Sequence, residues 1–185
     1  MKKQFNDYLE AVQSNSGIMK NAYNTAESDF PDFLSKDEKE INLSNMRLKS
    51  SHLRELFNKV ENPDKIISLS LSNNELKDIS EIKYFKNLEY LDLNDNYITD
   101  ISILKDLTKL KELSLGYNNI KDISVIQYLK NLKVLDINNL ELKSDQIKYI
   151  KSLKNLKNLY CSYGFKDIVI LKQLNRNYRD NKVML

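Results

Sequence analysis

Between Lys65 and Lys130 the chain repeats itself every 22 residues. The first unit, Lys65 to Lys86, carries apolar residues at Ile66, Leu69, Leu71, Leu76, Ile79, Ile82 and Phe85, with an asparagine at Asn74. From Asn87 to Thr108 the same offsets hold Leu88, Leu91, Leu93, Asn96, Ile98, Ile101, Leu104 and Leu107. Lys109 to Lys130 repeats them as Leu110, Leu113, Leu115, Asn118, Ile120, Ile123, Ile126 and Leu129. A chain with this internal period folds as a stack of like coils, in which each unit buries its apolar side against its neighbours.

The path of one coil follows from the spacings. Leu69 and Leu71, Leu91 and Leu93, and Leu113 and Leu115 stand two apart, which predicts a short strand turning one face inward. Later apolar residues fall at intervals of three, as in Ile79, Ile82 and Phe85, which suits a 3₁₀ or short helical return on the opposite side. Asp78, Asp100 and Asp122, each within Asp-Ile-Ser, precede that return and offer a short acceptor for its open amides. Asn74, Asn96 and Asn118 sit where the chain leaves the strand, and a buried amide there can bond open backbone groups of adjacent coils.

The pattern Leu-x-x-Leu-x-Leu-x-x-Asn-x-Ile-x-Asp-Ile resembles the leucine-rich repeat, and the 22-residue length resembles the class found in bacterial internalin-type proteins. The resemblance covers roughly Ile41 to Leu174. It implies an α/β solenoid: a right-handed arc with a parallel β-sheet on the concave face and 3₁₀ or short helical returns on the convex face. On this reading residues 39–176 form the solenoid, about six coils, and 177–185 a C-terminal tail. The ends depart from the repeat. Leu43 to Leu71 spans 28 residues, with Leu53, Leu56, Phe57 and Val60 at helical spacing, which predicts an α-helix in the first coil. The unit Asn131 to Lys154 has 24 residues with Leu140 in place of the asparagine, and in the next Gly164 takes that place. Ahead of the repeats, Phe5, Tyr8, Leu9 and Val12, then Ile18, Met19, Ala22, Tyr23 and Ala26, predict two short helices, making 1–38 an N-terminal helical cap.

Composition removes several kinds of chemistry. There is one histidine, His52, one cysteine, Cys161, and three scattered glycines. That inventory builds neither a four-ligand zinc site nor a phosphate-cradling glycine loop, so no metal and no cofactor are expected, and composition leaves open a binding protein or an enzyme that works with carboxylates, Lys, Ser and Tyr alone. His52 is expected to be a surface or capping residue, and Cys161, at a strand position held elsewhere by Leu, a small buried hydrophobe. The Met1-Lys2-Lys3 start is followed by Gln4, Asn6, Asp7 and Glu10 where a signal peptide needs apolar residues, and no run is long enough to span a bilayer. A cytoplasmic, monomeric protein is expected.

The outward-pointing strand positions can be read off the repeat. They are Glu40, Asn42, Ser44 and Asn45; Ser68, Ser70, Ser72 and Asn73; Tyr90, Asp92, Asn94 and Asp95; Glu112, Ser114, Gly116 and Tyr117; Val134, Asp136, Asn138 and Asn139; Asn158, Tyr160, Ser162 and Tyr163. None of these 24 is Lys or Arg, although the chain holds 29 basic residues among 185. The net charge of +3 therefore hides a concave face lacking positive charge, set against a lysine-bearing exterior that includes Lys83, Lys86, Lys105, Lys109, Lys130, Lys151 and Lys154. The expected function is non-enzymatic binding of a protein partner with a basic surface, through Tyr90, Asp92, Asp95, Glu112, Tyr117, Asp136 and Tyr160. A sharper alternative is a bacterial immunity or inhibitor protein that covers a toxin's basic cleft. A remote alternative is a carboxylate hydrolase using Asp92, Glu112 and Asp136. Nucleic acid is not expected as a partner, since the lysine ridge lacks interleaved aromatics and arginines.

Overall fold

The structure, a computed structural model, describes residues 39–161 together with the strand at 183–184. Seven strands form one parallel sheet in chain order: β1 (Glu40–Asn42), β2 (Ser68–Ser70), β3 (Tyr90–Asp92), β4 (Glu112–Ser114), β5 (Val134–Asp136), β6 (Asn158–Tyr160) and β7 (Val183–Met184). Each strand pairs with the next in an unbroken register, so that Ile41, Leu69, Leu91, Leu113, Leu135 and Leu159 stand side by side and point inward. This is the open arc with one parallel sheet that the resemblance implies. β7 lies inside the segment 177–185 and lines up Val183 against Leu159 and Met184 against Tyr160, adding a rung after β6. The expected N-terminal cap, 1–38, lies outside the described residues.

The returns are 3₁₀ segments at Ser80–Tyr84, Ser102–Asp106 and Ser124–Tyr128. Their i to i+3 bonds explain the three-residue apolar spacing: Ile82 N–H donates to Ile79 O and Phe85 N–H to Ile82 O, each at 3.0 Å, and the next two coils repeat the pair. Ile79, Ile82 and Phe85, with their counterparts in each coil, meet the strand leucines in one continuous core. Asp78, Asp100 and Asp122 do accept at the start of these turns. Ser80 N–H donates to Asp78 Oδ1 at 2.8 Å, and Ser102 and Ser124 N–H donate to Asp100 and Asp122 at 2.7 Å.

The asparagines form the expected ladder through the core. Asn96 Oδ1 accepts from Leu76 N–H at 3.0 Å, while its Nδ2 donates to Leu71 O at 3.0 Å and Leu93 O at 3.1 Å. Asn118 does the same for Ile98 N–H, Leu93 O and Leu115 O, and Asn74 for Met46 and Leu48 N–H, Leu43 O and Leu71 O. Each side chain thus closes backbone groups on its own coil and on the preceding one, which no apolar residue could do.

Where unit length changes, helix type changes with it. The 28-residue first coil holds α1 (Ser50–Phe57), whose Leu53, Leu56 and Phe57 are buried, and Phe57 meets Phe85 edge-on at 4.6 Å. In the 24-residue unit a 3₁₀ turn at Ser144–Gln146 runs into α2 (Ile147–Lys151). An α-helix rises about 1.5 Å per residue against about 2.0 Å for 3₁₀, so the added residues are taken up without lengthening the coil.

Candidate functional site

The strand register arranges the concave face in columns. Ser68, Tyr90, Glu112, Val134 and Asn158 make one, and Ser70, Asp92, Ser114, Asp136 and Tyr160 the next. Tyr90 and Glu112 are therefore immediate cross-strand neighbours, as are Asp136 and Tyr160, whereas Asp92 and Asp136 are held two rungs apart by Ser114. With strands spaced by about 4.8 Å, those two carboxylates stand roughly 10 Å apart at their backbones. Asp95 and Tyr117 follow their strands at equivalent positions in successive coils, both in left-handed backbone conformation.

The aspartates are engaged by the sheet itself. Asp92 Oδ1 accepts from Asn94 N–H at 3.1 Å, and Asp136 Oδ1 from Asn138 N–H at 2.8 Å. Asn42 plays the same part for Ser44 N–H at 3.0 Å, so this column supplies the acceptor that turns the chain out of the strand. Asp92 Oδ2 takes the Ser70 hydroxyl at 3.4 Å, within a small hydroxyl cluster that joins Ser44, Ser70 and Ser72. Asp136 Oδ2 accepts from Asn94 Nδ2 at 3.1 Å, a bond that crosses the intervening coil at Gly116. A Cβ on Gly116 would stand 3.2 Å from both Asn94 Oδ1 and Asp136 Oδ1 and 3.1 Å from Asn138 O. Glycine leaves that space open, and even a methyl group would press on both side chains of the bridge, which would have to give by a few tenths of an ångström. Half of each carboxylate's capacity is thus spent inside the face, and both residues are only half-exposed. The sequence spacing did not distinguish this turn-forming role from a binding one.

The groups most available to a partner lie beside them. Glu112, Asp95, Tyr90 and Tyr117 are exposed, with Tyr117 showing 56% of its surface, while Tyr160 is half-buried. Tyr117 has φ of 55°. Asn73, Asp95 and Asn139 hold the same position in other coils, and those short polar side chains tolerate the left-handed region that a bulky aromatic resists. Tyr97, 53% exposed on the turn of the preceding coil, was not among the residues singled out from sequence. It falls just past buried Asn96, beyond the alternating strand positions that the sequence reading followed. Together with Lys49, Ser50, Ser51, Glu75, Lys77 and Asp78 it lines a shallow depression of about 680 Å³.

The two chemically special residues serve the fold. His52 Nδ1 accepts from Lys49 N–H at 3.0 Å, capping α1, and burial followed by the charge of Lys49 lowers its pKa from 6.5. Cys161 is wholly buried, and burial with the nearby charge of Asp136 pushes its thiol up to about 11. Among the described residues no group of three or more His, Cys, Asp and Glu side chains is placed to hold a metal ion, and no helix is long and apolar enough to cross a membrane.

Comparison with known proteins agrees with this geometry. Residues 64–106 match the family described as Leucine Rich repeats (2 copies), and residues 86–139 that described as Leucine rich repeat. The chain is similar to the crystal structure of an internalin from Listeria monocytogenes, with 38% identity and a TM-score of 0.57 over 64% of this chain and 35% of that one. It is also similar to internalin C2 of that organism, with 27% identity and a TM-score of 0.58 over 74% of this chain and 67% of that one. Leucine-rich repeat and WD repeat-containing protein 1 of Xenopus laevis is 36% identical over 78 residues, which are 42% of this chain and 10% of that protein. The chain therefore spans only a small part of the curated relative that it matches.

Proposed function

Leucine-rich repeats form the centre of this chain, and on that premise we propose that it binds a protein partner with a basic surface, without catalysis, through the concave sheet and its adjoining turn. Tyr90, Asp95, Glu112 and Tyr117 supply the exposed contacts; Asp92, Asp136 and Tyr160 extend the field behind them. The observation that carries the reading is the absence of Lys and Arg from the 22 outward positions that fall among the described residues, in a chain with 29 basic residues. A face of one sign steers a partner of the other and repels wrong ones, and tyrosine offers large contact area at low entropy cost. The hydrolase alternative is disfavoured by the geometry, since Asp92 and Asp136 are separated by a rung and already hold backbone amides. A protein that inhibits another by covering its basic cleft is the sharper form of the same reading.

The test uses two exposed residues, and because Asp95 keeps a left-handed backbone, folding is checked beside binding. Immobilised wild-type chain and the pair Asp95→Lys/Glu112→Lys are challenged with host lysate, and the retained proteins are identified by mass spectrometry. A basic protein retained by the wild type and lost by the variant, with the far-UV circular dichroism of the two chains alike, is the expected result. Identical retention by both overturns the concave-face reading.

A further inference from the structure

On the side where the chain turns into its strands, the charge is reversed. Lys111, Lys133 and Lys157 occupy the position just before β4, β5 and β6, and Lys109 lies two residues further back. With Asn131, Asn155 and Glu89 they line a trough of about 530 Å³ across successive coils. Lys111 is neutralised by Glu89 at 2.6 Å, and Lys109 Nζ donates to Asn87 Oδ1 at 2.6 Å. Lys133 and Lys157 are exposed and have no anionic partner among the described residues.

The asparagines add a second kind of group. Asn131 Nδ2 donates to Thr108 O at 2.9 Å and Asn155 Nδ2 to Lys130 O at 2.8 Å, so each amide is anchored to the preceding coil by its donor end. Their Oδ1 atoms are left as acceptors, as Asn87 Oδ1 is where Lys109 has filled it. The trough therefore presents cations and hydrogen-bond acceptors side by side. We infer that it is a docking site for an acidic polypeptide segment in extended conformation. A peptide carries both the carboxylates that Lys133 and Lys157 require and the backbone N–H groups that Asn131 and Asn155 can receive. A phosphodiester backbone offers acceptors alone, and no aromatic side chain lines the trough to stack a base. From Lys111 to Lys157 is two strand spacings, roughly 10 Å, about the length of three extended residues. Glu89 closes the end nearer β3 by repelling a further carboxylate.

The site is separate from the concave face and is tested separately. A fluorescein-labelled hexaglutamate peptide is titrated against the whole chain and followed by fluorescence anisotropy. Saturable binding is expected, weakened at least tenfold by Lys133→Glu/Lys157→Glu. Lys83→Glu/Lys105→Glu, which makes the same change of net charge on the convex returns, leaves it within twofold, and Asp95→Lys/Glu112→Lys leaves it no weaker. Lys133→Gln/Lys157→Gln gives the same ordering should the reversed pair unfold. Absence of saturable binding, equal loss with both lysine pairs, or a hexathymidylate probe binding as tightly as hexaglutamate would each overturn the assignment.

Discussion

Asn96 reaches four backbone groups on two coils through one side chain, and three of them, Leu76 N–H, Leu71 O and Leu93 O, belong to buried residues. Replacing it by Ala leaves Leu76 N–H, Leu71 O and Leu93 O without that partner, and a loss of about 3 kcal/mol is expected in urea unfolding. Asparagine was recognisable from sequence because it recurs at one fixed offset, where the chain leaves the strand. Tyr117 was also recognisable as an outward residue, but its backbone conformation was not, since nothing in the letters separates a left-handed tyrosine from an extended one. Tyr117→Asn relieves that strain and is expected to stabilise the chain by about 1 kcal/mol. The same substitution weakens partner retention if the tyrosine is kept for contact. A variant that is more stable and binds equally well would argue against that role.

The three-residue spacing marked the return segments as 3₁₀ or short helical, and the bonds from Leu104 N–H to Ile101 O and from Leu107 N–H to Leu104 O, both at 3.0 Å, decide for 3₁₀. The aspartate that opens each return was likewise legible. Amide and hydroxyl bonds from Ser102 hold the Asp100 carboxyl below its ordinary 3.8. Its contribution to stability is thus present above pH 3.8 and lost as pH falls through the lowered value. Asp100→Ala is expected to be less stable than wild type at neutral pH, with the difference between them shrinking below pH 3.8 when urea midpoints are followed against pH. Less legible was the second aspartate column. Asp92 and Asp136 sit two residues before Asn94 and Asn138, and from sequence they were read as partner-binding residues, with nothing in the spacing to mark them as turn formers. Only the observed bonds at 3.1 and 2.8 Å assign them first to the turn. α2 was hidden for a related reason: a unit two residues longer signals that something changes, without saying whether a loop or a helix absorbs it.

A stack of coils is held by contacts between nearest neighbours, so its stability need not be uniform along the array. The asparagine ladder ties the first four coils together through Asn74, Asn96 and Asn118, and stops where Leu140 takes the next place. Hydrogen exchange is therefore expected to be slowest for the amides of Leu76 and Ile98, which the ladder receives, and faster for amides past β5. Uniform protection from β2 to β6 would show that leucine packing alone sets the local free energy. The overall arc was legible because the period is strict, and the outward strand positions were legible because strand alternation fixes which residues point away from the core. The basic trough was not, since Lys111, Lys133 and Lys157 lie just ahead of the strands, at positions no alternation marks.

The bond from Asn94 to Asp136 reaches over Gly116 and so links the third coil directly to the fifth. Repeat arrays gain and lose length by copying or deleting whole units, and most junctions between like coils tolerate this because each unit meets only its neighbours. Here a copy inserted on either side of β4 would move the two ends of the bond a further rung apart and strand a half-buried carboxylate and amide. The number of units between β3 and β5 is thereby counted by the protein itself, which leaves the ends of the array, and not its middle, as the place where its length can drift.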